Sequence, residues 1–318
     1  MQLFTWNLQR SQTVNPAFRD DDDADHIVDL RRELLEELCA ASRYGMIVEP
    51  PPYMRDMIKN TPHEPIPGGF IVMDMRSDNQ TDWAACRPAL WMTQKTGRLV
   101  GLRITSGASD AYRYPVVWHV PLTARHSILV ASIHATSGRL GRRNSEGLIT
   151  SIKNYAKRNS IGGVMVGGDF NSHSTHTQLP DIPKRRNGWT WSMPAVPTNQ
   201  SAAGGSGGGI DGFFFFTNAK CPGPVVFDVD APETYYQRDP GRFSLTLTPA
   251  ALKKAVKGKA ARQAYQFSDT PGFARFADAH AFGDGHAWWW RLSDHAPVIQ
   301  EVGMRLMDPA NRVVDYVQ

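Results

Sequence analysis

The chain has 318 residues, 41% of them hydrophobic, with 35 lysines and arginines against 31 aspartates and glutamates, a formal net charge of +4 and a pI of about 9.0. That length supports one large core or two modest ones, no run approaches the roughly 18 uncharged apolar residues of a spanning helix, and the small basic excess favours polyanions without requiring them. Cys39, Cys86 and Cys221, none in a C-x-x-C pair, do not suggest a disulfide scaffold but leave room for one bridge.

Met1 to Asn7 lacks the basic-then-apolar pattern of a secretory signal, which leaves a cytoplasmic chain, export by another route, or a chain shown without its leader. Leu3-Phe4-Thr5-Trp6-Asn7 reads as a buried strand ending in a polar residue. The acidic run Asp20 to Asp23 with Asp25 reads as a helix cap or solvated loop, because consecutive side chains cannot all converge on one ion. Ile27, Leu30, Leu34 and Leu38 then share one helical face, with the acidic run at the positive end of the helix dipole. Met46-Ile47-Val48-Glu49 predicts a second strand ending in a carboxylate, and Pro50-Pro51-Pro52 ends regular structure after it. Further strands are predicted at Phe70–Met75, Arg98–Thr105, Val116–Val120, Ser127–His134, Gly163–Gly168, Ile210–Phe216 and Ala296–Val302, with a helix over Glu146–Arg158. Many strands with few helices between them point to a mixed α/β protein with a large, partly antiparallel sheet. Gly204 to Gly209, broken only by Ser206, reads equally as a linker or a loop within one domain. Residues 222–285 are the least legible part; they hold the basic stretch Lys253, Lys254, Lys257, Lys259 and Arg262, either a solvated helix face or an extended basic footprint.

Chemistry-bearing side chains gather at the ends of these apolar runs. Asn7 ends the first, Glu49 the second, and His134 ends Ile128 to Ile133. Asp169 and Asn171 follow Val164 to Gly168, Asp211 sits beside Ile210, and Asp294-His295 precedes Ala296-Pro297-Val298. Strand ends are where a rigid sheet holds reactive groups in fixed geometry. Such a set, if brought together, suits phosphodiester hydrolysis. That reaction needs a hard cation to offset phosphoryl charge and a base to take a proton from water. A histidine held by a carboxylate serves as that base near neutral pH.

At these residues the sequence resembles the endonuclease/exonuclease/phosphatase superfamily, which includes deoxyribonuclease I. The resemblance runs through Thr5-Trp6-Asn7-Leu8-Gln9, Val48-Glu49, Ser132-Ile133-His134-Ala135, Gly168-Asp169-Phe170-Asn171, Ile210-Asp211 and Ser293-Asp294-His295-Ala296-Pro297-Val298. Within it the chain is most similar to the catalytic B subunits of cytolethal distending toxins, through the opening strand and His134-Ala135-Thr136-Ser137-Gly138. The resemblance implies a four-layered α/β sandwich of two packed mixed sheets flanked by helices, a single domain over 1–318, and a Mg2+-dependent hydrolase of phosphoric esters, with Mn2+ or Ca2+ as alternative ions. It implies Asn7, Glu49 and Asp294 around the metal, Asp169 and Asn171 at the attacking water and phosphate, and His134 and His295 flanking that phosphate, His295 supported by Asp211. It also places Arg113 on the phosphate, and the toxin likeness implies delivery subunits as partners. Val48 stands where these proteins usually carry glutamine before the glutamate, and the long interval from Asp211 to Asp294 implies an insertion within 222–285.

DNA is the expected substrate. Arg139, Arg142 and Arg143 follow His134 closely, either gripping backbone phosphates or forming an exposed basic turn. Trp288-Trp289-Trp290 keeps a phospholipid-directed phosphodiesterase open, although such a run more often forms a buried strand. An inositol-phosphate phosphatase and a non-catalytic nucleic-acid-binding module complete the alternatives.

Overall fold

The computed structural model describes residues 1–8, 24–50, 68–73, 88–102, 114–136, 141–171, 189–194, 198, 210–235 and 295–317, with the side chains of its two helices from residues 32 and 144 onward. Their elements in chain order are β1 (Gln2–Asn7), α1 (Ala24–Ala41), β2 (Tyr44–Val48), β3 (Phe70–Val72), β4 (Pro88–Met92), β5 (Arg98–Leu99), β6 (Val116–Pro121), β7 (Ser127–His134) and α2 (Gly141–Arg158). Then follow β8 (Gly163–Asp169), β9 (Trp189–Ser192), β10 (Asp211–Thr217), β11 (Val225–Val229), β12 (Glu233–Thr234), β13 (Val298–Met307) and β14 (Val313–Val317).

Alternation along the strands sorts the side chains into layers. In β10, Phe213 and Phe215 join a core that also takes Leu3, Tyr44 and Met46, whereas Phe214 and Phe216 join a second core with Leu148, Ile149 and Ile152 of α2. The first core lies between two sheets. One runs β11-β13-β1-β2-β4-β3, with β12 and β14 also paired to β13; the other runs β5-β6-β7-β8-β10-β9. Each is mixed, with β1 parallel to β2 in the first and β7 parallel to β8 in the second. The second core lies between the second sheet and α2. Leu34, Leu35 and Leu38 of α1 are buried outside the inter-sheet core, against the other face of the first sheet. The layers are therefore helix, sheet, sheet, helix, a four-layered α/β sandwich.

Several elements differ from their sequence-based bounds. The Arg98–Thr105 run keeps strand geometry only at Arg98–Leu99, and Phe70–Met75 only at Phe70–Val72; residues 74–75 and 103–105 lie outside the described ones. β13 starts at Val298, after Pro297, which has no N–H for a ladder. β4, β9, β11, β12 and β14 were not legible: β4 opens on a proline, and β11 is half-exposed without clean alternation. Within 222–285, where an insertion is expected, β11 and β12 pair with β13 as part of the first sheet; residues 236–285, with Lys253 to Arg262, lie outside the described residues. Cys39 and Cys221 are buried free thiols, so of the three cysteines no two remain for a disulfide.

Gly168 sits opposite Ile133 across the parallel strands β7 and β8. Its φ is +139°, and a Cβ there would sit 2.0 Å from the Ile133 carbonyl oxygen. Both the backbone conformation and the neighbouring backbone exclude a side chain. Gly168→Ala should therefore destabilise the fold by about 2 kcal/mol or more. Urea titration of the two proteins checks this, and an unchanged midpoint would contradict the close approach.

Candidate functional site

The same alternation that builds the inter-sheet core aims polar groups into it at one end. Leu3 of β1 faces the second sheet, so Thr5 and Asn7 do too. Ile128 and Val130 carry Ser132 and His134 with them, and Met165 carries Asp169. In β10 the order reverses, and Phe215 and Phe213 lead back to Asp211. Register completes the alignment: His134 lies opposite Asp169 across β7 and β8, and Asp169 opposite Asp211 across β8 and β10. Glu49 follows β2, which runs parallel to β1, and His295 precedes β13, which runs antiparallel to it, so both arrive at the same end.

Asn7, His134, Asp169, Asp211 and His295 are all at most 5% exposed. Asn7 Nδ2 donates to Asp169 Oδ2 at 3.1 Å and lies 3.4 Å from His295 Nε2. His134 Nε2 is 3.7 Å from both Glu49 Oε1 and Asp169 Oδ2. His295 Nδ1 is 2.8 Å from Asp211 Oδ2, while its Nε2 is 3.9 Å from Asp169 Oδ2. Asn171 donates its backbone N–H to Asp169 Oδ1 at 2.7 Å and its side-chain amide to the Ala135 carbonyl at 2.6 Å. Seven residues drawn from positions 7 to 295 thus form one cluster.

Backbone strain concentrates here. Glu49 has φ +52° and Asn171 +46°, two of four non-glycine residues with positive φ among the described residues. Asparagine tolerates that region, but glutamate does not favour it, and the following Pro50 disfavours helical backbone at Glu49 as well. Such conformations persist where the surroundings over-determine them, and functional sites are the usual place.

Burial pushes the Asp169 carboxyl up to about 7, with the facing Asp211 carboxylate adding to the effect. His295, the Asn171 N–H and the Asn7 amide pull in the opposite direction. Asp169, Asp211 and His295 each offer a donor atom within 4.8 Å of the others. The direct contact between His295 Nδ1 and Asp211 Oδ2 makes those two a proton-holding pair, whereas the carboxylates of Glu49 and Asp169 and the Asn7 amide form the oxygen-rich side. Asp211 Oδ1 is buried with no hydrogen-bond partner among the described residues. An acidic, oxygen-rich donor set with no thiol among it fits a hard divalent cation.

Of the residues singled out in the sequence, Asn7, Glu49, His134, Asp169, Asn171, Asp211 and His295 come together. Asp294, Arg113 and Arg139 lie outside the described residues, as does Trp288-Trp289-Trp290. Arg142 and Arg143 fall in the first turn of α2, with side chains outside the described ones. Sequence reasoning missed Thr198, which no periodicity marks. Its hydroxyl donates to Asp211 Oδ2 at 2.8 Å, and its carbonyl accepts the Ala296 N–H. It also missed that the Trp6 indole donates to the His295 carbonyl at 3.0 Å.

No family model and no curated protein matches the chain. Solved structures do match it across nearly its whole length. An endonuclease/exonuclease/phosphatase family protein from Bacteroides thetaiotaomicron is 14% identical over 96% of this chain and 94% of its own, with a TM-score of 0.54. A mannosyl-6-phosphatase of the same organism is 13% identical over 95% and 99%, at 0.52. TDP2 of D. rerio, complexed with a single-strand DNA product, is 12% identical over 95% and 98%, at 0.51. These likenesses establish the fold, that of the deoxyribonuclease I-like endonuclease/exonuclease/phosphatase proteins.

Asp169 links the site to stability. In the fold its carboxyl keeps a proton up to about 7, while the ordinary value is 3.8. Between those two values the folded state binds more protons than the unfolded one. The contribution of Asp169 is thus greatest below 3.8 and is lost as pH rises toward about 7. Asp169→Asn should flatten this fall in EDTA. Urea midpoints of both proteins across that pH window test it, and parallel curves would refute the assignment.

Proposed function

We propose that the chain is a divalent-metal-dependent phosphodiesterase, and specifically an endonuclease acting on DNA. The observation that carries the reading is the convergence of Asn7, Glu49, His134, Asp169, Asn171, Asp211 and His295 at one end of the two sheets. A largely buried set of three carboxylates, two amides and two imidazoles answers each requirement of phosphoester hydrolysis: cation ligands, a proton acceptor and a proton donor.

Roles are assigned from the sequence resemblance, and the positions of the described residues support them. Asn7 and Glu49, with Asp294 next to His295 in sequence, hold the cation; Mg2+ is the first choice, with Mn2+ or Ca2+ as substitutes. Bound there, the ion neutralises charge developing on the phosphoryl oxygens. Asp169, held by Asn7 and by the Asn171 N–H, orients the attacking water together with Asn171. Without a cation, burial holds the Asp169 carboxyl up at about 7; a divalent cation beside it would favour the charged form. His295, its Nδ1 held by Asp211, turns Nε2 toward the cluster, and His134 Nε2 enters from the other sheet position. The two imidazoles flank the scissile phosphate and handle the protons of water and leaving oxygen.

Nucleic acid is favoured by charge and by the placement of α2. The Asn144 side chain accepts the Thr136 N–H at 2.9 Å, tying the start of that helix to the segment after His134. A helix N-terminus attracts phosphate, and Arg142 and Arg143 in that first turn add positive charge. Arg113 and Arg139 are assigned to substrate phosphate with them. The net charge of +4 acts in the same direction. The TDP2 structure shows that this fold is compatible with a DNA product. A genotoxin-like role with delivery subunits rests on the sequence resemblance alone.

Supercoiled plasmid is the direct test. Nicking should require Mg2+ and stop in EDTA. His134→Ala and His295→Ala should each lower turnover by about two orders of magnitude or more. Plasmid left intact alongside release of a choline headgroup or inorganic phosphate would replace the endonuclease by a lipid- or monoester-directed enzyme. Binding of DNA that ignores chelator, with no cleavage of any ester, would leave only a binding module.

A further inference from the structure

The direction of the hydrogen bonds around Asp211 is set by one residue that the proposed chemistry does not use. Thr198 is fully buried. Its Oγ1 accepts the backbone N–H of Ile210 and of Asp211, each at 3.0 Å. A hydroxyl has two acceptor sites and a single proton. With both acceptor sites taken, that proton goes to Asp211 Oδ2 at 2.8 Å. The same oxygen lies 2.8 Å from His295 Nδ1. An oxygen that already receives the threonine proton acts as a carboxylate acceptor, so the imidazole supplies the Nδ1–H. The far side of the ring agrees. Asn7 Nδ2 has two hydrogens, one toward Asp169 Oδ2 at 3.1 Å and the other toward His295 Nε2 at 3.4 Å, which asks Nε2 to accept.

Thr198 also ties the two chain segments together through its backbone. Its carbonyl accepts the N–H of Ala296, the residue after His295, at 2.8 Å. One residue therefore grips the start of β10 and the approach to β13, the two segments that carry Asp211 and His295.

We propose that Thr198 is a positioning residue whose hydroxyl fixes the orientation of Asp211 and so holds His295 in the Nδ1–H tautomer, with Nε2 as an acceptor turned toward Asn7 and Asp169. What that orientation serves rests on the function proposed above; the hydrogen-bond polarity does not. Thr198→Val keeps the shape but removes the hydroxyl, whereas Thr198→Ser keeps the hydroxyl and removes the methyl.

Nitrogen-15 NMR of the histidine side chains, with His295 assigned by its disappearance in His295→Gln, reads the tautomer without any substrate. The parent and Thr198→Ser should show Nδ1–H at His295, and Thr198→Val a mixture or the other tautomer. In plasmid cleavage, Thr198→Val should lower kcat about tenfold or more with little change in KM, and Thr198→Ser should restore most of it, as expected of a group that orients a catalytic histidine. A folded Thr198→Val with parental tautomer and kcat overturns the proposal. If the valine protein does not fold, the serine protein decides: a folded Thr198→Ser that loses the Nδ1–H form shows that methyl packing, not the hydroxyl, sets the ring, and overturns it equally. If no ester is cleaved by any form while the tautomer follows the hydroxyl, the endonuclease reading fails and the positioning role stands.

Discussion

Asp169 and Asp211 stand opposite each other on neighbouring strands, both buried, and two carboxylates so placed repel one another and lose their hydration. The surrounding groups answer that cost. Asn7 and the Asn171 N–H donate to Asp169, while Thr198 and His295 lie on Asp211 Oδ2. Even so, Asp169 remains raised to about 7. A protein tolerates such a site when the unfavourable charge is used. A divalent cation placed beside these carboxylates would relieve the repulsion, so the acidity of the cluster and its fitness for metal are one property.

The two sheets carry this arrangement because their inner faces are largely apolar, with Gln300 and Ser192 hydrogen-bonded to each other inside. Leu3, Met46, Val130, Met165 and Phe213 pack between them, and the cluster of ionisable groups begins at the end of that packing. Close fit matters at the boundary. A Cβ on Gly167 would meet the Phe213 ring and the Met46 side chain, and one on Gly168 would meet the Ile133 backbone. Strand β8 is thereby held against both of its neighbours just before Asp169. The position of that carboxylate is set by packing, and its proton affinity is set by what the packing excludes.

Much of this was legible in the sequence. Asn7, His134 and Asp169 end apolar runs, and Glu49, Asp211 and His295 adjoin such runs. Strands with strong apolar character, such as Ser127–His134 and Gly163–Asp169, were found nearly to the residue. The weaker ones were not. β11 and β14 are partly or largely exposed, so their side chains carry no periodic signal, and they hold their place through pairing with β13. Thr198 was invisible for a related reason: its contacts are to residues 12, 13 and 98 positions away, and its own neighbours in sequence announce nothing.

By itself, the sequence determined which residues stand at the ends of which strands and which of them share a side, because alternation is a local property of extended backbone; which side faces the other sheet came from the packing. The tertiary structure alone decided that those ends face each other. It decided that Asp211 reaches His295 across 84 positions and that Asn7 reaches Asp169 across 162. It also decided that Glu49 turns with positive φ and that Asp169 keeps its proton to about 7. Each of these depends on registers between distant strands and on the exclusion of water, and neither is written in any short stretch of chain.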